Sequence, residues 1–112
     1  MEKSENSQKI AYYKINTPAL KGRTFEIDKI IFGKNKYGMW AAVVTKTNDN
    51  KGNTVALTAA GEHQAIKLIG IQTICRNKPA RLIIEDVKET THKNTYTADI
   101  KIEMENIWKW IK

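Results

Sequence analysis

Between Arg23 and Lys46 the chain carries five basic residues, Arg23, Lys29, Lys34, Lys36 and Lys46, against two acidic ones, Glu26 and Asp28. Phe32, Tyr37 and Trp40 are interleaved with them. Ammonium groups neutralise phosphates, and flat rings stack on unpaired bases at ~1–3 kcal/mol per base. Together these residue types can hold a single strand of nucleic acid without reading its sequence. Lys29, Phe32, Lys34, Lys36, Tyr37, Trp40 and Lys46 are therefore expected on one face, with Tyr37 and Trp40 as the stacking platform. Lys51 and Lys93, in polar turns, would flank the groove, and Arg81 and Lys101 are further candidates. The plain reading of any one lysine is a solvated surface charge. Trp40 reads equally as an exposed stacking ring or as core filling.

The residues for other chemistries are missing or isolated. His63 and His92 have no second His or Cys at metal-ligand spacing, so no zinc site is expected. The lone Cys75 reads as a small core residue. Glu26 with Asp28, and Glu85 with Asp86, read as solvated charges rather than an acid pair. No phosphate-binding Gly loop, dinucleotide motif or nucleophile elbow is present. The expectation is a binding module with no cofactor and no catalytic site.

Such a surface needs strands to position it. Arg23 to Phe32 alternates, with Phe25, Ile27 and Ile31 on one face, and predicts a first strand. Phe32 falls out of phase, so it either faces outward or follows a bulge at Ile30-Ile31. Gly33 to Lys36 reads as a turn, and Tyr37 to Thr47 as a second strand, apolar on both faces. Asn48 to Asn53 is a strong turn signal, leading to a third strand over Thr54 to Ala59. From Gly61 to about Ile69 the apolar period becomes helical, and Gly70 is expected to end or bend that helix. Arg81 to Lys88 and Tyr96 to Met104 predict the closing strands, with Tyr96 on the core side. Ile10 to Leu20 reads as an extended lead-in, because Pro18 argues against a helix there.

The 112 residues suit one domain: a disordered segment over 1–9, a folded body over 10–105 and an aromatic tail over 106–112. The net charge of +7 favours a polyanionic partner. A single cysteine fits a reducing, cytoplasmic compartment. No apolar run suggests a signal peptide or a membrane span.

Three strands, a short helix and two more strands describe a mainly β fold, a five-stranded Greek-key barrel of the OB type. Phe25-Glu26-Ile27-Asp28-Lys29-Ile30-Ile31-Phe32, followed by Lys36-Tyr37-Gly38-Met39-Trp40-Ala41-Ala42-Val43-Val44, resembles compact OB-fold single-stranded DNA-binding proteins of phages, plasmids and archaea. That resemblance covers about residues 22–104 and is one of pattern. It implies a sequence-tolerant binder acting in replication, recombination or repair. The basic, aromatic ending Trp108-Lys109-Trp110-Ile111-Lys112 departs from the acidic tail typical of the bacterial members. The alternative is a small adaptor or inhibitor of phage or mobile-element origin. It would bind a protein, or a second copy of itself, through that tail. RNA is the third reading, since the choice turns on the 2′-OH.

Overall fold

The computed structural model describes residues 9–77 and 79–104. The N-terminal segment, except Lys9, and the aromatic tail lie outside the described residues, as does the packing of Cys75. The described residues form six strands and one α-helix, with a single 3-10 turn at Pro18–Leu20. The strands are β1 (Ile10–Lys14), β2 (Thr24–Asn35), β3 (Gly38–Asn48), β4 (Thr54–Thr58), β5 (Ala80–Glu89) and β6 (Tyr96–Met104). Helix α1 (Glu62–Asn77) joins β4 to β5. The fold is mainly β, with one helix where the change of period places it.

All six strands belong to one sheet, ordered β1-β4-β3-β2-β5-β6. Each neighbouring pair is antiparallel except β1 with β4, which is parallel. Strand β2 is long enough to serve two partners. Its start, Thr24 to Glu26, pairs with β5, and its remainder from Ile27 pairs with β3. A bulge between Ile27 and Lys29 separates the two stretches, and bulges bend the strands that carry them. The sheet therefore wraps around one core. Phe25, Ile27, Ile30, Ala41, Val43, Val55 and Leu57 point into it, together with Leu82 and Ile84 from β5. Ala65 and Leu68 of α1 pack onto this same inner face, against β2 and β3.

Three expectations are corrected. The strand count is six, not five, because the lead-in forms β1 along the free edge of β4. That edge is where a last strand would have to pair to close a barrel, so the sheet stays open. Across the gap Asn16 Nδ2 donates to the Tyr96 carbonyl over 2.6 Å. The helix continues through Gly70 to Asn77. Gly70 is exposed and costs the helix only about 1 kcal/mol relative to Ala. The register of β2 also differs. The bulge lies at Asp28, not Ile30-Ile31, so Ile30 is buried on the inner face and Ile31 turns outward.

The first hairpin turn is tighter than the sequence suggests. Residues Lys36 and Tyr37 make the turn, and Gly38 follows with φ +114°, a backbone state open to glycine. A Cβ there would run into the Glu62 carboxylate, whose Oε2 accepts from the Met39 amide at 2.8 Å. The first turn of α1 is thereby fastened to the β2–β3 hairpin. Gln64 reaches back to accept from the Ala60 amide, which helps cap the helix.

Candidate nucleic-acid interface

Cross-strand partners share a face, so the register sorts every side chain of the sheet. On the outer face β1 presents Ile10, Tyr12 and Lys14, beside Thr54, Ala56 and Thr58 of β4. Strand β3 adds Trp40, Ala42 and Val44, and β2 adds Gly33, Ile31 and Lys29. Ala42, Val44 and Ala56 form a small buried cluster of their own, with Ile31 packed against it. Among the described residues, no helix or loop covers this face. This cluster at its centre is closed over, Val44 being only 3% exposed, and larger side chains stand around it.

Trp40 is the highest of these. It is 36% exposed and sits directly opposite Gly33. A Cβ at Gly33 would come within 2.8 Å of the indole Nε1 and 2.9 Å of Cε2 and Cζ2. The ring therefore lies down over the bare glycine, supported from below and open above. Trp40 is a surface ring and not part of the core. Tyr12, 54% exposed, is the second aromatic of this face, opposite Ala56.

Three lysines surround the cluster. Lys14 is opposite Thr58 and Lys29 opposite Val44. Lys46 follows at the irregular end of β3, where Thr45 Oγ1 donates to the Val55 carbonyl at 2.9 Å. None of the three forms an ion pair among the described residues. Glu26 and Arg81 are paired across β2 and β5 on the same outer face and mark the boundary of this surface.

The anticipated set is thus divided. Lys29, Trp40 and Lys46 share the outer face. Phe32 and Lys34 do not: they are opposite Ala41 and Met39, on the helix side, because the Asp28 bulge shifts the phase of β2 by one residue. Phe32 is exposed there, beyond the end of the core. Lys36 and Tyr37 occupy the hairpin turn. Tyr37 is 81% exposed, and Lys36 Nζ is 5.2 Å from its ring centroid. Lys51 lies in the β3–β4 turn and Lys93 in the β5–β6 turn, both exposed. Arg81 faces outward but its Nη2 is 3.5 Å from Glu103 Oε1. Lys101 is 3.7 Å from Glu103 Oε2.

Sequence reasoning missed Tyr12 and Lys14. Their period-two spacing with Ile10 was the available signal, but a five-residue edge strand leaves little pattern to read. What positions β1 is the β3–β4 turn. Asp49 accepts from the amides of Asn53 and Lys51, both at 2.9 Å, and from the Tyr13 hydroxyl at 3.0 Å. The Asn53 amide, followed by the Lys51 amide and Tyr13, holds the Asp49 carboxyl below its usual value. Tyr13 is correspondingly pushed above its ordinary value by that hydrogen bond.

Among the described residues no group of three or more His, Cys, Asp or Glu is placed to hold a metal ion. No helix among them is long and apolar enough to cross a membrane. No family model, curated protein or solved structure matches the chain.

Proposed function

We propose that the chain binds single-stranded nucleic acid, DNA in the first instance, across the outer face of β1, β4, β3 and β2. The observation that carries the proposal is this face, where two exposed rings and three lysines without ion pairs among the described residues surround a cluster of small apolar residues. Bases stack on Trp40 and Tyr12, and Tyr37 offers a further ring at the hairpin tip. Lys14, Lys29 and Lys46 meet the phosphates. Stacking accepts any base, so sequence preference is weak. Phe32 and Lys34 leave the platform, and Arg81 contributes little because Glu103 already faces its charge.

An OB-like arrangement is retained in a looser form. In its support, β2 lies in mid-sheet with partners on both sides, and the helix enters between the third and fourth of the strands first anticipated. A role in replication, recombination or repair follows from the same reading.

A titration against single-stranded DNA, single-stranded RNA and duplex DNA at two salt concentrations tests the proposal. Three phosphate contacts at about −0.7 each give a slope of log K against log salt near −2 on single strands. A slope near zero would replace this reading with a protein adaptor that uses the same face, and tighter binding of the duplex would overturn the preference for single strands.

A further inference from the structure

The two edges of the sheet are unlike. Edge β6 bears Asp99, Lys101 and Glu103 on its outer face, in ion pairs with Lys88 and Arg81 or with each other, and a bulge lies between it and β5. Charges and bulges are the ordinary means of preventing one sheet from adding to another. Edge β1 has no bulge, and its one charged residue, Lys14, stands at its end. Its register with β4 is regular, and it bears Ile10, Tyr12 and Tyr13, three of the large apolar side chains left exposed on the molecule.

The bonding phase of β1 is fixed by its parallel register. Thr54 N donates to the Lys9 carbonyl at 2.8 Å, and Ile15 N to the Thr58 carbonyl at 2.9 Å. Main-chain groups of Lys9, Ala11, Tyr13 and Ile15 therefore face β4, while those of Ile10, Tyr12 and Lys14 point away from the sheet. The Lys14 carbonyl is already taken by the Thr17 amide and hydroxyl. Among the described residues, donors and acceptors at Ile10 and Tyr12, and the donor at Lys14, remain open on the edge.

We propose that this edge pairs with β1 of a second copy of the chain, antiparallel, about a two-fold axis through Tyr12. In that register the two Tyr12 residues exchange both main-chain bonds, and each Lys14 N–H meets the partner's Ile10 carbonyl. The outer face then sets Tyr12 against Tyr12, an aromatic cross-strand pair, and Ile10 against the stem of Lys14. No like charges are opposed. A register centred on Lys14 would put lysine against lysine, which is unfavourable. The occupant is a second copy because the edge is its own complement in both bonding and side chains. With five residues in the strand, the dimer is weak and depends on concentration. Its formation joins the outer faces of two chains edge to edge, and Tyr12 of each becomes the midpoint of one longer platform. Only that last consequence rests on the nucleic-acid reading; the dimer itself does not.

Sedimentation equilibrium of the full chain, without nucleic acid, tests the pairing. The weight-average mass should climb with concentration from 12.8 kDa towards twice that value. Ile10→Pro replaces an outward N–H that bonds nothing within the chain by a ring that crowds the partner's Lys14 carbonyl, a substitution an edge strand tolerates. It should stay at 12.8 kDa throughout and melt like the parent. Tyr12→Lys, which sets like charges across the axis without touching the backbone, should stay monomeric too. A parent chain that is monomeric at every concentration overturns the proposal, as does a variant pair that dimerises as the parent does. Binding of an oligonucleotide by the monomeric Ile10→Pro chain is read separately, so the dimer and the nucleic-acid face can fail independently.

Discussion

The two halves of the sheet share β2 and share an outer face, but they dispose of their charges in opposite ways. On the β5–β6 side the cations beside the strands are matched, and Lys93 in the turn has no ion pair among the described residues. Lys21 and Lys88 lie 3.1 and 3.6 Å from Asp86, Arg81 and Lys101 share Glu103, and Lys88 also reaches Asp99 at 4.0 Å. On the β1–β4–β3–β2 side Lys14, Lys29 and Lys46 surround an apolar cluster without ion pairs among the described residues. Exposed ion pairs contribute little to stability, so pairing one half is not chiefly a matter of holding the fold. What the difference decides is which cations remain open to an outside anion. A net charge of +7 shows only that an excess exists; the sheet shows where it is unopposed.

Changing equal charge on the two sides breaks or sharpens that contrast most strongly. Lys14→Ala, Lys29→Ala and Lys46→Ala combined should flatten the salt slope on single strands by about 2, three contacts at about 0.7 each. Lys21→Ala, Lys88→Ala and Lys101→Ala combined lower the net charge equally and should leave the slope nearly unchanged. Equal losses from the two triples would show that only overall charge matters.

Next in size is Trp40→Ala, which should weaken binding by ~1–3 kcal/mol. Its melting temperature should fall far less than that of Leu82→Ala, which empties a fully buried site on the other half and costs ~2–5 kcal/mol of stability. A Trp40→Ala chain that melts as badly as Leu82→Ala would return the indole to the core. Gly33→Ala is gentler. The new methyl forces the indole up from its seat, and affinity should drop by less than in Trp40→Ala, with the fold intact.

The smallest effect is acid sensitivity. The Lys21 ammonium, above all, holds the Asp86 carboxyl below its usual value, and the Asn53 amide does the same for Asp49. A carboxyl with a depressed folded-state pKa contributes stability that is present above its unfolded value, 3.8. That contribution is lost as pH falls through the folded value. Melting temperature should therefore decline below about pH 4, and Asp86→Asn should decline less steeply over the same range.

Much of the architecture was legible because it rests on local pattern. Thr54 to Thr58 and Tyr96 to Met104 alternate or end at strong turns, and both fall where their residues place them. That Lys29, Trp40 and Lys46 share one face was legible from the basic, aromatic stretch in which they stand. The misses come from long-range or backbone effects. A single bulge at Asp28 moved Ile30, Ile31 and Phe32 to the opposite faces, since strand period is two and one extra residue inverts everything beyond it. Strand β1 is specified by β4, more than 40 residues away, and by the Tyr13–Asp49 bond, with |i−j| of 36. Barrel closure failed for the same reason: which strand takes the free edge of β4 is settled by that distant pairing.

The division of β2 between two partners also sets an order of assembly. The β2–β3 and β5–β6 hairpins each close over a short turn, so they can form quickly and independently. Their union depends on Thr24, Phe25 and Glu26 finding Ile83, Leu82 and Arg81 far along the chain, through only three paired positions. The Asn16–Tyr96 bond, with |i−j| of 80, can form only after that. Non-local closure of this kind slows folding. The slow step should therefore be the docking of one finished hairpin onto the other, and substitutions at Phe25 or Leu82 should retard refolding more than substitutions around Trp40.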